Sequence, residues 1–229
     1  MNPNPLIIAL DFESAAKAQE LVGRLGDAVT FYKVGLELYA AAGMPLVREL
    51  TRQGKQVFLD LKLYDIGETV KRAVAQVAAS GVAFTTVHGS RAVMRAAVEG
   101  RGGASLKLLA VTVLTSFDQD DLADLGYPCP VADLVALRVR KAREAGIDGL
   151  VCSPLEAAVV RALAGPEAIL VTPGVRSAGA GKGDQKRVAT PTEALRAGAN
   201  YLVIGRQVTR AEDPRAEVER ILEEIRELR

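Results

Sequence analysis

The sequence predicts an α/β fold, a single (β/α)8 TIM barrel with a parallel eight-stranded sheet, and three observations carry that expectation. Short apolar, often β-branched runs recur eight times; segments with helical spacing lie between many of them; and most of the runs are followed by a polar side chain, as at the rim where βα loops leave such a barrel. The first run, Leu6 to Leu10, gives way to Asp11-Phe12-Glu13-Ser14 and a helical segment from Ser14 to Leu25. That first turn has no glycine, unlike the glycine-rich first turn of an open, doubly wound sheet. Ala28 to Tyr32 is the second run, with Lys33 at its end and helical spacing from Leu36 to Arg52. The third, Gln56 to Leu61, carries Asp60 and Lys62 at its end and precedes a helix from Thr69 to Ala79. Phe84 to Val87 ends at His88, and Leu106 to Leu114 at Thr115 and Ser116. After a helix from Pro130 to Ala145 come Gly149 to Cys152, ending at Ser153, and a helix from Pro154 to Leu163. Ile169 to Thr172 leads to Gly174 and Arg176, and Tyr201 to Ile204 leads to Gly205 and Arg206.

The charged segment from Ala211 to Arg229 places Val218, Ile221, Leu222 and Ile225 on one face and reads as the helix that closes the barrel. The near-continuous apolar character of the runs suits strands covered on both faces, while Gly26, Gly54, Gly81, Gly146 and Gly198 read as helix C-terminal caps. No proline- or serine-rich linker interrupts the pattern, so residues 1–229 are expected to form one catalytic domain.

A chain of 229 residues, 49% hydrophobic and 25% charged, has the balance of a soluble globular enzyme. Its formal net charge of +1 supplies no electrostatic attraction for nucleic acid or an anionic membrane, and a small-molecule partner is expected. No apolar run approaches the roughly 20 residues that span a bilayer. Two cysteines do not make a disulfide scaffold, and the N-terminus lacks the basic and apolar regions of a signal peptide, so a cytoplasmic location is expected.

The run Asp60-Leu61-Lys62-Leu63-Tyr64-Asp65 sets one lysine among two carboxylates at the end of a strand. Strand alternation puts Asp60 and Lys62 on one face, with Asp65 beginning the following loop. At about 4 Å and an effective dielectric of 20, each carboxylate attracts the ammonium by roughly 4 kcal/mol before desolvation is subtracted. Both acids favour the charged lysine, whereas a Schiff-base lysine must be a free amine, so class I aldolase chemistry is disfavoured. Farther along, Thr172-Pro173-Gly174-Val175-Arg176 runs into the glycine-rich stretch 178–184 and Gln185, and the eighth strand ends in Gly205-Arg206. Loops after the seventh and eighth strands are the usual phosphate site of this barrel, with arginine forks and a neutral Gln185 as donors and the long loop able to close as a lid.

With these residues in place the sequence resembles the orotidine 5′-phosphate decarboxylase family over nearly its whole length. The family's Asp-x-Lys-x-x-Asp motif stands as Asp60, Lys62 and Asp65, with Thr69 closing the segment as in the bacterial group. Ala9-Leu10-Asp11, Tyr32-Lys33-Val34-Gly35, Val113-Leu114-Thr115-Ser116, Thr172-Pro173-Gly174-Val175-Arg176, Gly183-Asp184-Gln185-Lys186-Arg187 and Val203-Ile204-Gly205-Arg206 match in order. Gly67 and Ser177 depart from it, standing where relatives often carry proline (or, at the former, alanine). The resemblance implies catalysis by Lys62, Asp60, Asp65 and Lys33, with no cofactor and no metal. It implies that Asp11 and Lys33 hold ribose hydroxyls, that Asp60 and Thr69 also belong to the substrate site, that Thr115 lies at the pyrimidine, and that Arg176, Gln185, Gly205 and Arg206 bind phosphate. It further implies a homodimer in which Asp65 enters the neighbouring subunit's site.

The reaction so implied converts orotidine 5′-phosphate to UMP, the last step of de novo pyrimidine nucleotide biosynthesis, with Lys62 as proton donor to C6. The nearest rival is a metal-dependent sugar-phosphate decarboxylase or aldol-type synthase sharing the same Asp-x-Lys-x-x-Asp core. A noncatalytic phosphate-ligand sensor would keep Arg176 and Arg206 but has no need of a lysine among acids. His88, the sole histidine, reads as structural, Cys152 as a small core residue, and the acidic run Asp118, Asp120, Asp121, Asp124 as a solvated helix start without calcium-loop spacing.

Overall fold

Eight strands pair in sequence order and close on themselves. The computed structural model describes residues 4–178 and 189–228. The strands are β1 (Leu6–Ala9), β2 (Phe31–Gly35), β3 (Gln56–Leu63), β4 (Phe84–His88), β5 (Lys107–Val111), β6 (Gly149–Val151), β7 (Ile169–Thr172) and β8 (Tyr201–Ile204). All neighbours are parallel, and β8 returns to β1 with Ile7 opposite Val203 and Ile8 opposite Ile204. The expected barrel is therefore closed, and it leaves no open sheet edge.

Around it lie α1 (Ala15–Leu25), α2 (Leu36–Arg52), α3 (Gly67–Ala78), α4 (Arg91–Arg101), α5 (Gln119–Asp124), α6 (Val131–Ala145), α7 (Ala157–Ala164), α8 (Pro191–Arg196), α9 (Arg206–Thr209) and α10 (Pro214–Glu224). Ser14 starts α1 by accepting the Lys17 N–H, and the five glycines expected to end helices all adopt positive φ. Asp118 and Asp121 form a capping box at α5, so the acidic run does begin a helix. The helix expected over 36–52 is present but breaks at Gly43, two residues before Pro45. The closing segment is α-helical from Pro214 to Glu224 and ends in a 3-10 turn at Arg226–Leu228, with Val218, Ile221 and Ile225 buried.

Three strands differ from expectation by more than one residue at an end. Ala28 and Val29 belong to the turn leaving α1, where the Ala28 N–H meets Leu25 O, so β2 begins at Phe31 and Lys33 lies within it. β5 stops at Val111, because the chain pairs once more through Thr112 N–H to Val151 O and then leaves for the rim. β3 runs on to Leu63, but its register with β4 shifts between Leu59 and Leu63.

Side chains of alternate strand residues form two apolar layers. Ile8, Tyr32, Val57, Leu108 and Leu170 face the helices, each with no more than 1% of its surface exposed. Ile7, Phe31, Phe58, Phe84, Leu109 and Val171 fill the barrel interior. Full burial of such a side chain contributes about 1.5–3 kcal/mol. Near the strand starts Phe31, Phe84 and Tyr201 meet edge to face at 5.0–5.6 Å, with Phe58 6.1 Å from Phe84. This aromatic cluster floors the barrel.

Candidate active site

Above that floor the interior side chains change from apolar to charged, and a cavity of about 310 Å³ opens at the C-terminal ends of the strands. Asp60 is two residues beyond Phe58 and shares its inward direction. Lys62 follows with φ of +50°, the sole non-glycine positive φ among the described residues. Leu59 pairs with Thr85 and Leu63 with Val87, so Asp60, Leu61 and Lys62 all stand against Thr86. Lys62 thus reaches the same mouth as Asp60 through a bulge rather than through the regular alternation the sequence suggests.

Lys62 Nζ donates to Asp60 Oδ2 at 2.9 Å, and Lys33 Nζ donates to Asp11 Oδ1 at 2.8 Å. Two ion pairs therefore stand side by side on β1, β2 and β3, with both lysines at least partly shielded. Thr115 and Ser116 enter the lining from the loop after β5. Arg176 comes from the loop after β7, and Gly205 and Arg206 from the end of β8, where Gly205 precedes the short α9. Burial, and secondarily the positive charge of Arg206, lower the pKa of Arg176. Two guanidinium groups near enough to repel favour a doubly charged anion between them.

Asp11, Lys33, Asp60, Lys62, Thr115, Arg176, Gly205 and Arg206 thus line one cavity. Asp65 and Thr69 do not. Asp65 is exposed, its Oδ1 accepting the following Ile66 N–H at 2.6 Å, and it stands outside the cavity lining. Within one chain Lys62 is accordingly paired with Asp60 rather than set between two acids, because the loop after Leu63 turns outward. Thr69 lies on α3, also outside the lining. Gln185 and the stretch Gly183-Asp184-Gln185-Lys186-Arg187 lie outside the described residues. The residues bracketing that stretch are tied together, Arg176 N–H donating to Ala189 O at 3.0 Å.

Sequence reasoning missed the apolar wall of Val111, Val151 and Val203, whose signal was present as inward positions of β5, β6 and β8. It also missed Gln207, which lines the cavity while its amide donates to Ser177 Oγ at 3.0 Å and to Glu217 Oε1 at 2.7 Å. Ser177 in turn bonds Glu224 at 2.6 Å, fastening the Arg176 loop to α10.

A second, larger cavity of about 520 Å³ lies beside the first and contains His88, its ring 5.0 Å from that of Tyr64. Burial, and then the charge of Arg138, lower the pKa of His88. Its walls are mostly apolar and carry none of the four paired charges, so the smaller cavity is the one equipped for chemistry. His88 and Ser153 accordingly fall outside the candidate site, Ser153 instead capping the turn at 154–156.

Among the described residues no helix is long and apolar enough to cross a membrane. The sequence profile of the Orotidine 5′-phosphate decarboxylase / HUMPS family matches residues 4–221. An orotidine 5′-phosphate decarboxylase of Rhodopseudomonas palustris is 56% identical over 220 residues, covering 96% of this chain and 94% of that one. One from Methylobacterium radiotolerans is 54% identical, with 96% and 95% covered. The crystal structure of orotidine 5′-phosphate decarboxylase from Lactobacillus acidophilus superimposes with a TM-score of 0.84 at 37% identity, covering 96% of this chain and 98% of that one.

Proposed function

Because the chain belongs to the Orotidine 5′-phosphate decarboxylase / HUMPS family, we propose that it decarboxylates orotidine 5′-phosphate to UMP in pyrimidine nucleotide biosynthesis. The observation that carries the reading is the placement of the Lys62–Asp60 ion pair, at 2.9 Å, in one cavity with Arg176 and Arg206. One end of that cavity can hold a phosphate dianion and the other can place a proton donor against a ring carbon.

In the reaction the bond between C6 and the carboxylate breaks and its electron pair stays on C6 in an orbital with little resonance relief. Lys62 Nζ stabilises that charge and then gives its proton to C6, after which the amine recovers a proton from solvent. Asp60, bonded to the ammonium, aims it and faces the departing carboxylate. Asp11 and Lys33 hold ribose hydroxyls, Thr115 meets the pyrimidine, and Arg176, Gly205, Arg206 and Gln185 hold phosphate. Binding energy gained at the phosphate stabilises the reactive arrangement far from C6.

Asp65 completes the charge array of a second subunit. Its neighbours Tyr64 and Ile66 are 67% and 72% exposed, large apolar side chains at a loop tip where a partner surface would cover them. The working form is a homodimer of one-domain subunits of residues 1–229, acting in the cytoplasm on a small nucleotide.

Loss of absorbance of orotidine 5′-phosphate, followed with and without a chelator, tests the assignment. Turnover that survives chelation supports it. Chelator-sensitive activity on a sugar phosphate, without turnover of the nucleotide, would replace it with the metal-dependent rival.

A further inference from the structure

We infer that Thr86 is a positioning residue for the Asp60–Lys62 pair, an inference that rests on the roles proposed above for those two residues. Thr86 sits on β4 with 0% of its surface exposed, directly across from the β3 bulge. Its Oγ1 accepts the Lys62 backbone N–H at 2.9 Å and donates to Asp60 Oδ1 at 2.9 Å. A hydroxyl has one proton. Since the Lys62 amide approaches the oxygen as a donor, that proton is committed to the carboxylate, and Asp60 must receive it as an acceptor. Asp60 then has Oδ1 fixed by Thr86 and Oδ2 facing Lys62 Nζ, so its plane cannot turn without losing a bond.

The same oxygen replaces a missing ladder bond. A lysine at φ +50° is strained, because a β-carbon crowds the carbonyl there, and such a residue persists only where surrounding bonds hold it. Thr86 ties down both ends of the unit, the strained backbone of the proton donor and the carboxylate that aims it. The adjacent Thr85 spends its hydroxyl on Leu59 O at 2.9 Å, toward the outer layer, and touches neither charged group. The two threonines of this run are thus chemically alike but differently employed.

Thr86→Val keeps the β-branched shape and leaves the Lys62 N–H and Asp60 Oδ1 each short of a partner. With the fold checked by circular dichroism, kcat is expected to fall about 10- to 100-fold while UMP affinity moves less than about threefold. Thr86→Ser, which restores the hydroxyl, should stay within about threefold of the parent. Should the valine variant fail to accumulate, Thr86→Ala removes the same hydroxyl and carries the same expectation. In an Asp60→Asn background the valine substitution should cost less than it does in the parent, because one of the two groups through which it acts is already altered. A folded valine or alanine variant with parental kcat overturns the inference, as does an equal loss in both backgrounds. A Lys62→Ala protein that still turns over would overturn the assignment beneath it, so the two failures are distinguishable.

Discussion

Lys33 Nζ passes so close to Gly35 that a β-carbon at position 35 would stand 2.8 Å from it and 3.4 Å from Asp11 Oδ1. Position 35 has φ of −96°, which any residue adopts, so what an added methyl meets is the charged end of a flexible side chain. Gly35→Ala should therefore fold normally, with a melting temperature within a few degrees of the parent, while the displaced ammonium lowers kcat/KM by about 10- to 100-fold. Steady-state kinetics beside a thermal melt would decide it; an alanine variant of full activity would show that Lys33 has room to spare.

Lys62→Ala removes the proposed proton donor and its charge together. Turnover should drop by at least about 10⁴-fold, with UMP binding still measurable by calorimetry. Substantial residual decarboxylation would remove the mechanism.

The charge of Arg206 bears on Arg176, and both guanidinium groups line the cavity proposed to hold the phosphate. Inorganic phosphate should compete with substrate, and Arg206→Ala should weaken that inhibition by about 10- to 100-fold, the worth of a charge-assisted hydrogen bond. Orotidine, which lacks the phosphate, should react with lower kcat and not merely higher KM. A pure KM effect would mean that the anion site only binds.

His88 has its pKa lowered, mainly by burial, so the unfolded chain takes up a proton more readily than the folded one. The stability linked to keeping this ring neutral is fully present above its unfolded value near 6.5 and is lost as pH falls through the folded value. Urea unfolding of the parent should thus weaken between neutrality and pH 5.5 more steeply than that of His88→Gln. Parallel slopes would place the acid sensitivity elsewhere.

Asp65 is expected to serve the other subunit. Lys62→Ala and Asp65→Ala proteins, each inactive alone, should regain about one quarter of parental activity when mixed and allowed to exchange, since half the dimers are hybrids with one intact site. No recovery after verified exchange would return Asp65 to its own chain.

The barrel was legible because strands buried on both faces leave unbroken apolar runs, and the charged rim because those residues sit where the runs stop. The strand bounds were less so. Val29 is fully buried yet belongs to a turn, and hydrophobicity reports burial, not pairing. α4 lay outside the helical segments that the patterning marks, since Arg91, Arg95, Glu99 and Arg101 outweigh its narrow buried face of Val93, Met94, Ala96 and Ala97. α8 is six residues long, and its signal was the Thr190–Glu193 capping box rather than any periodicity. Thr86 could not be recognised from sequence, because its two partners reach it only through a bulge in another strand, at a lysine whose positive φ no propensity suggests.

The aromatic plug of Phe31, Phe84 and Tyr201 packs the barrel at its strand starts, opposite the rim where the reaction chamber is lined. Among the described residues that packed end offers carbon dioxide no polar channel, which leaves the rim as its way out. Gas and nucleotide then share that rim as their doorway.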